Sequence, residues 1–311
     1  MAALRYFGIR SAGIVAAAPG PCGGRQKDSH DARHADCGRQ RHGIMKRDVG
    51  VHLGVDIIEP TSLEFQIAVA RQANTEVFES LSFDMNGEQL QPTEVIGAHG
   101  SRIHKLDARQ GRLTVDYTAT VVGRADPAPV TDYDLSVYLR PSRYAESDKF
   151  FGFAATEFGG YRDSATLLEK VSSWVGSRLS YVPGSSDPID GAVDTLLAGA
   201  GVCRDFAHLA VALLRAVNVP ARMVSVYAPG LQPMDFHAVA EAHVDGSWRV
   251  VDGTRLAPRQ SLVRIATGRD SADTAFLDNH GGSVALCTMS VFAVVDGELP
   301  RDSVGQLVSI G

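Results

Sequence analysis

Residues 235–253 read DFHAVAEAHVDGSWRVVDG, and the reading of this stretch decides the fold. Apolar and small residues run on either side of Asp245-Gly246, a dipeptide suited to a two-residue β-hairpin turn. With Val244 set opposite Ser247, Trp248 falls opposite His243 and Asp252 opposite Val239. His237 lies two residues before Val239 and so shares its strand face. His237 and Asp252 are then diagonal neighbours, roughly 7–8 Å apart at the backbone and within reach of each other's side chains. A carboxylate so placed can orient an imidazole and stabilise the imidazolium. A bulge in the turn would shift this register. A strand-end histidine and an aspartate before glycine are each ordinary on their own. Their position on one face of one hairpin gives them weight.

Upstream, residues 199–209 read GAGVCRDFAHL. Phe206, Leu209, Ala210, Leu213, Leu214 and Val217 recur at helical spacing, and Pro220 prevents the helix from continuing. One turn back from Phe206 lies Cys203, at the start of that helix. Unpaired N–H groups and a partial positive charge gather there. Such surroundings favour a thiolate, the nucleophilic form of cysteine. Taken alone, Cys203 would read as a small buried apolar residue. Arg204 and Asp205 lie in the first turn, where Asp205 suits the helix dipole and reads as local support. His208 falls about 500° around the helix from Cys203 and reads as structural. His243 shares the His237 face but sits near the turn opposite Trp248, which reads as packing.

Outward from these segments the chain divides into three. Residues 1–44 are rich in Gly, Ala, Arg and His without a sustained period, and are expected to be disordered or a start-site artefact preceding Met45. Residues 45–145 alternate as strands do, with Leu63, Phe65, Ile67 and Val69 in one run and Leu113, Val115, Tyr117, Ala119 and Val121 in another. Asn86-Gly87 marks a hairpin between two such runs. This is expected to be an antiparallel β domain. From 146 to 311 helices enter. Leu167, Leu168, Val171, Trp174 and Val175 recur at helical spacing, with Asp163 or Ser164 as the N-cap. Strands follow at Met223 to Tyr227, His237 to Val244, Trp248 to Val251 and Ser283 to Val295.

The 311 residues are 44% hydrophobic and 21% charged, enough to bury a core. The net charge of −6 argues against nucleic-acid binding through phosphate contacts. Residues 1–44 hold seven Arg/Lys against three Asp, which makes them +4 and leaves −10 for the rest. No apolar run approaches the roughly 18 residues of a membrane span. Ala12 to Ala18, preceded by Arg5 and Arg10, is apolar but short and is followed by Pro19, Gly20 and Pro21, so a signal peptide is the less favoured reading. The four cysteines are Cys22, Cys37, Cys203 and Cys287. They do not form a disulfide framework, so the cytoplasm is the expected compartment. Cys22, His30, His34 and Cys37 have poor zinc spacing, and Cys287 sits in an apolar run and is expected in the core. No metal or cofactor is expected.

The stretches GVCRDFAHLAVALLRAVNVPAR (201–222), DFHAVAEAHVDGSWRVVDGTR (235–255), YLRPSRY (138–144) and LAPRQSLVRIATGRDSADTAF (256–276) resemble the transglutaminase-like superfamily, particularly bacterial members with an added N-terminal β domain. The resemblance spans about residues 50–300 and is most specific at the Cys, His and Asp motifs. It implies an α+β fold, with a papain/transglutaminase-like catalytic core in which the Cys-bearing helix packs on an antiparallel sheet. It also implies a triad of nucleophile Cys203, base Cys-partner His237 and orienting Asp252. Ala238 follows the histidine where relatives often carry an aromatic residue, and Gly253 follows the aspartate where proline is commoner. Neither departure removes a catalytic group, and both bear on substrate fit.

The expected activity is thioester-forming amide hydrolysis by a cysteine protease or amidase, or acyl transfer to an amine. The expected partner is a protein or peptide substrate, an isopeptide or glutamine side chain included, with no nucleic acid and no membrane. The alternative is a non-catalytic protein-interaction module on a degenerate transglutaminase-like domain. Retention of all three residues weighs against it. Because residues 1–44 lack a core-forming pattern, a chain starting at Met45 should melt within about two degrees of the full chain. A differential scanning measurement with a large loss would show that the leader docks on the fold.

Overall fold

The computed structural model describes residues 45–311. The expectations for residues 1–44, including the Cys22, His30, His34 and Cys37 cluster, lie outside the described residues. Seven strands come first: β1 (Lys46–Glu59), β2 (Thr61–Phe65), β3 (Thr75–Met85), β4 (Glu88–Leu90), β5 (Thr93–Ile96), β6 (Arg102–Ala108) and β7 (Gly111–Gly123). Helices α1 (Asp132–Val137), α2 (Phe151–Phe158) and α3 (Ser164–Arg178) follow. Next come β8 (Ser180–Tyr181), α4 (Ala192–Ala198), β9 (Ala200–Gly201) and α5 (Cys203–Ala216). The chain ends with β10 (Ala221–Tyr227), β11 (Phe236–Val244), β12 (Ser247–Val251), β13 (Val263–Gly268), β14 (Leu277–His280) and β15 (Ser283–Val295). The fold is α+β, as expected.

Two antiparallel sheets build the β unit, in the orders β15-β1-β7-β3-β4 and β14-β2-β6-β5. The alternation read from the sequence is real. Leu113, Val115, Tyr117, Ala119 and Val121 of β7 are all buried, with more exposed residues between them. Asn86 and Gly87 both take positive φ, 55° and 88°, as a two-residue β3–β4 turn requires. The strand run through Ile67 and Val69 ends early, at Phe65. Residues 66–70 instead reach tertiary partners, with the Val69 N–H donating to Tyr117 Oη at 2.9 Å and the Ala70 N–H to the Arg264 carbonyl at 2.9 Å. A helix, α1, stands where strand was expected, capped by Thr131 Oγ1 accepting from the Asp134 N–H at 3.1 Å.

The late strands β14 and β15 pair with β2 and β1, so the chain returns from the second unit to complete the first. This return corrects the placement of Cys287. It is exposed, with its thiol 3.1 Å from Asp56 Oδ2, and is not a core residue. The physical reason is the edge position of β15, whose pairing with β1 shifts register between Gly54 and Val55. The apolar run there covers one face of an edge strand and leaves the other in solvent.

The second unit is the sheet β12-β11-β10-β13 with α5 packed on it. Along β11, Ala238, Ala240 and Ala242 alternate with His237, Val239, Glu241 and His243. Ala240 and Ala242 share a core with Leu209, Ala210 and Leu213 of α5. Three alanines on that face let the helix lie close to the sheet. Tyr227 and Ile265, from the second sheet, pack with Leu63, Val115 and Tyr117 of the first unit, so one core spans both. The Tyr227 hydroxyl donates to the Ile67 carbonyl at 2.7 Å.

On the other face of β11, fully buried Glu241 accepts from Arg222 Nε at 2.8 Å and from Arg264 Nη2 at 2.6 Å. The Arg222 guanidinium also lies 3.9 Å over the Trp248 ring. Burial would raise the Glu241 carboxyl, but Arg264 and Arg222 overcome it and hold it down at about 2. Glu241→Ala would leave two buried guanidinium groups without their carboxylate and should cost about 3–5 kcal/mol, read as a lowered urea midpoint. The folded-state pKa is depressed below the usual 4.5, so the contribution of Glu241 is full above that value and is lost as pH falls toward about 2. A Glu241→Ala chain should therefore lose its deficit relative to wild type across that window.

Candidate active site

Cys203 occupies the first position of α5, after an extended Val202 at φ −113° and ψ −177°. The helix start is held from below by Asp205, which is fully buried. Its Oδ2 accepts from the Val202 N–H at 2.8 Å and from Ser186 Oγ at 2.5 Å. A Cβ at residue 201 would stand 2.6 Å from the Asp205 Cβ, so only glycine allows this cap. The parallel pairing of β8 with β9 sets Tyr181 beside Gly201, with the Val182 N–H donating to the Gly201 carbonyl at 3.0 Å.

His237 and Asp252 meet as the hairpin register requires. Val244 pairs with Ser247, His243 with Trp248 and Ala240 with Val251, with no bulge. His237 Nε2 and Asp252 Oδ2 are 3.0 Å apart, and both residues are buried. Asp252 Oδ1 accepts from the Thr254 N–H at 2.8 Å and from Thr254 Oγ1 at 2.7 Å. Ser172 Oγ of α3 donates to the Asp252 carbonyl at 2.9 Å. Helix α3 approaches this loop so closely that a Cβ on residue 253 would lie 2.9 Å from Val175 Cγ1. That contact explains glycine after the aspartate. Ala238 is buried with Ala207 and Met223 against Cys203, a site with little room for an aromatic ring.

Burial alone would strip the proton from His237. The Asp252 carboxylate outweighs burial, and contact with Cys203 adds to it, so the imidazole is pushed up to about 10. Asp252 moves the other way: burial raises its carboxyl, and attraction to His237 with the Thr254 bonds brings it below its ordinary value. With Nε2 taken by Asp252, the buried Nδ1 has no nitrogen or oxygen partner among the described residues and is the ring atom left for the thiol. The Cys203 thiol is 3.9 Å from the Phe236 carbonyl oxygen. The arrangement can hold a proton on a buried imidazole next to a thiol.

Sequence reasoning passed over Tyr181. Its hydroxyl is pushed above the ordinary phenol range, by burial first and then by the nearby Cys203 and Asp235. Its ring packs 5.9 Å from Phe206. No spacing signal marks it, because it reaches Cys203 through the short β8–β9 pairing. Arg204 donates to Asp205 Oδ1, Ser186 Oγ and the Asp187 carbonyl. His208 is buried, stacks 5.4 Å from Tyr144, and is pushed down to about 4 by burial. His243 packs edge-on to Trp248 at 5.5 Å. Among the described residues no group of His, Cys, Asp and Glu is arranged to hold a metal ion. No helix there is long and apolar enough to cross a membrane.

Residues 153–253 match the family described as the transglutaminase-like superfamily, a span that contains Cys203, His237 and Asp252. A solved structure from Cytophaga hutchinsonii, described as a candidate cysteine protease, is 33% identical and covers 85% of this chain and 96% of its own, with a TM-score of 0.77. The chain belongs to the transglutaminase-like superfamily. Two curated relatives are uncharacterized proteins. The one from Mycobacterium leprae is 26% identical over 148 residues, 44% of this chain and 52% of its own. The one from Mycobacterium tuberculosis is 39% identical over 137 residues, 39% of this chain and 43% of its own. The chain thus spans about half the length of the curated relatives it matches.

The raised His237 makes a direct prediction for this transglutaminase-like site. In NMR titration its ring should stay protonated from pH 6.5 to 9 and release its proton near 10. Asp252→Asn should bring that midpoint down by more than a unit. Because the folded value lies above the unfolded 6.5, the pair's contribution to stability is full below 6.5 and is lost as pH rises through about 10. A wild-type midpoint near 6.5 would contradict the ion pair.

Proposed function

We propose that the protein is a cysteine-nucleophile amide-bond hydrolase acting on a protein or peptide substrate, with Cys203 as nucleophile, His237 as acid–base and Asp252 as orienting carboxylate. The observation that carries this reading is the buried 3.0 Å His237–Asp252 pair beside a cysteine at a helix start. The similarity to a candidate cysteine protease over nearly its full length supports it.

The chemistry follows from the geometry. The Cys203 thiolate adds to the amide carbonyl, and the carbon–oxygen π pair moves onto oxygen. The backbone N–H of Cys203, at the first turn of α5, has no helical acceptor and can donate to that oxygen. Tyr181, set beside Gly201 by the β8–β9 pairing, borders the same helix start. The carbon–nitrogen bond then breaks as the His237 imidazolium gives its proton to the leaving amine, and a thioester remains on Cys203. Water attacks the thioester, His237 takes the proton from it, and the carboxylic acid leaves. An amine in place of water would give transfer to a new amide by the same steps. Cytoplasmic action is part of the proposal and rests on cysteine usage.

Cys203→Ser should fold with an unchanged melting temperature and lose about 10³-fold or more in kcat, since a hydroxyl in a site built for a thiolate is a weak nucleophile. KM should change little, because the sulfur acts in the transition state. A slow acyl substrate should leave a mass increase on the peptide holding Cys203. An adduct on Cys287 instead, or full activity in Cys203→Ser, would assign the nucleophile elsewhere. A Cys203 silent toward acyl substrates and thiol probes near neutral pH would favour the interaction module.

A further inference from the structure

We propose that Asp235 sets substrate selectivity by receiving a cationic side chain, lysine or arginine, on the amine side of the bond cleaved at Cys203. The inference rests on the reading of Cys203 as nucleophile and His237 as proton donor. Asp235 sits immediately before β11, two residues from His237, at the end of the strand that carries the histidine. His237 must stand next to the nitrogen that leaves, because it hands that nitrogen a proton. The part of the substrate attached to that nitrogen therefore passes Asp235.

The carboxylate is available to a ligand. Asp235 is exposed, and its Oδ1 accepts only from the neighbouring Phe236 N–H, at 2.7 Å. No arginine, lysine or histidine of the described residues lies within ion-pair distance of it. The charges nearby are already committed. The His237 imidazolium is paired with Asp252, and Arg204 is held by Asp205, Ser186 and Asp187. A contrast lies beside Asp252, in a cavity of about 220 Å³ lined in part by Arg259 and Asp302. There the two charges neutralise each other through contacts of 2.8 and 2.9 Å, and nothing is left over for a ligand.

Asp235 also looks into the site. The carbonyl of the next residue, Phe236, lies 3.9 Å from the Cys203 thiol, so the segment bearing Asp235 borders the nucleophile, and its charge is felt at His237 and Tyr181. Although exposed, the carboxylate is crowded enough that burial raises its pKa. A partly desolvated carboxylate attracts a cation more strongly than one in open water.

The test uses the full chain as wild type, Asp235→Asn and Asp235→Glu. Two internally quenched peptides differ only in the residue donating the leaving nitrogen, lysine in one and its uncharged isostere norleucine in the other. Wild type should show a KM about five- to tenfold lower for the lysine peptide, Asp235→Asn should lose that preference, and Asp235→Glu should keep most of it. kcat on the norleucine peptide should stay within about twofold across the three. Equal losses on both peptides, with a shifted pH profile, would make Asp235 a support for His237 and overturn the proposal, as would an unchanged preference. A second readout needs no turnover. Methanethiosulfonates carrying a trimethylammonium or a sulfonate group transfer their thioalkyl group to the Cys203 thiolate and release methanesulfinate. Mass spectrometry of the Cys203 peptide gives the two rates. Asp235→Asn should lower the cation-to-anion rate ratio about fivefold or more, and an unchanged ratio would overturn the proposal. A wild-type chain that fails to acylate, yet shows this change in ratio, would instead remove the hydrolase reading.

Discussion

Asp245 and Gly246 both take positive φ, 51° and 73°, and this two-residue turn sets the register on which the rest of the site depends. Each later pair in the β11–β12 ladder follows from it. The ladder ends at Val251, and the next residue, Asp252, turns its carboxylate onto His237. A one-residue slip would send one of the two side chains to the opposite face and separate them. A buried charge pair is costly to form unless its remaining hydrogen-bonding capacity is met. Here Thr254 meets it at Oδ1, and Ser172 ties the backbone of Asp252 to α3.

The other half of the site depends on how closely a helix can approach a sheet. Helix α5 is aimed by the Asp205 cap and by the β8–β9 pairing, and it lies on the alanine face of β11. Larger residues at 238, 240 or 242 would push its first turn outward and carry the thiol away from the imidazole. Ala238 contacts Cys203 directly in the packing. The same economy of space appears at Gly253 against Val175, where α3 braces the loop that holds Asp252. Proximity of the Cys203 thiol and the His237 imidazole is thus a packing result as much as an electrostatic one.

The β unit contributes to this scaffold. Tyr117 and Tyr227 stack at 6.4 Å across the boundary between the two units. His99, from the first unit, reaches Tyr138 Oη at 2.9 Å and Arg222 Nη1 at 3.4 Å, joining the buried charges behind β11. With the apolar core continuous through Tyr227 and Ile265, the sheet bearing His237 is supported on both faces.

Periodicity and local chemistry were enough to read α3, α5, the hairpin, the β7 alternation and the Cys203, His237 and Asp252 constellation. Each of these rests on neighbours close in sequence: a capping residue, a turn dipeptide, a repeating apolar stripe. Short helices such as α1 and α4 carry too few turns to show a period, and Thr131 gave α1 its start without an apolar run to announce it. What only tertiary structure decided is what depends on distant pairing. Strand β15 left the second unit for an edge of the first, which brought Cys287 into solvent, because pairing partners are chosen by shape and register across hundreds of residues. Tyr181 reached Cys203 through a two-residue parallel ladder. Asp235 became an uncommitted carboxylate because the fold assigned the nearby cations to other partners. The sequence alone placed Cys203 at a helix start and His237 and Asp252 on one hairpin face, and the packing of distant segments determined what surrounds them.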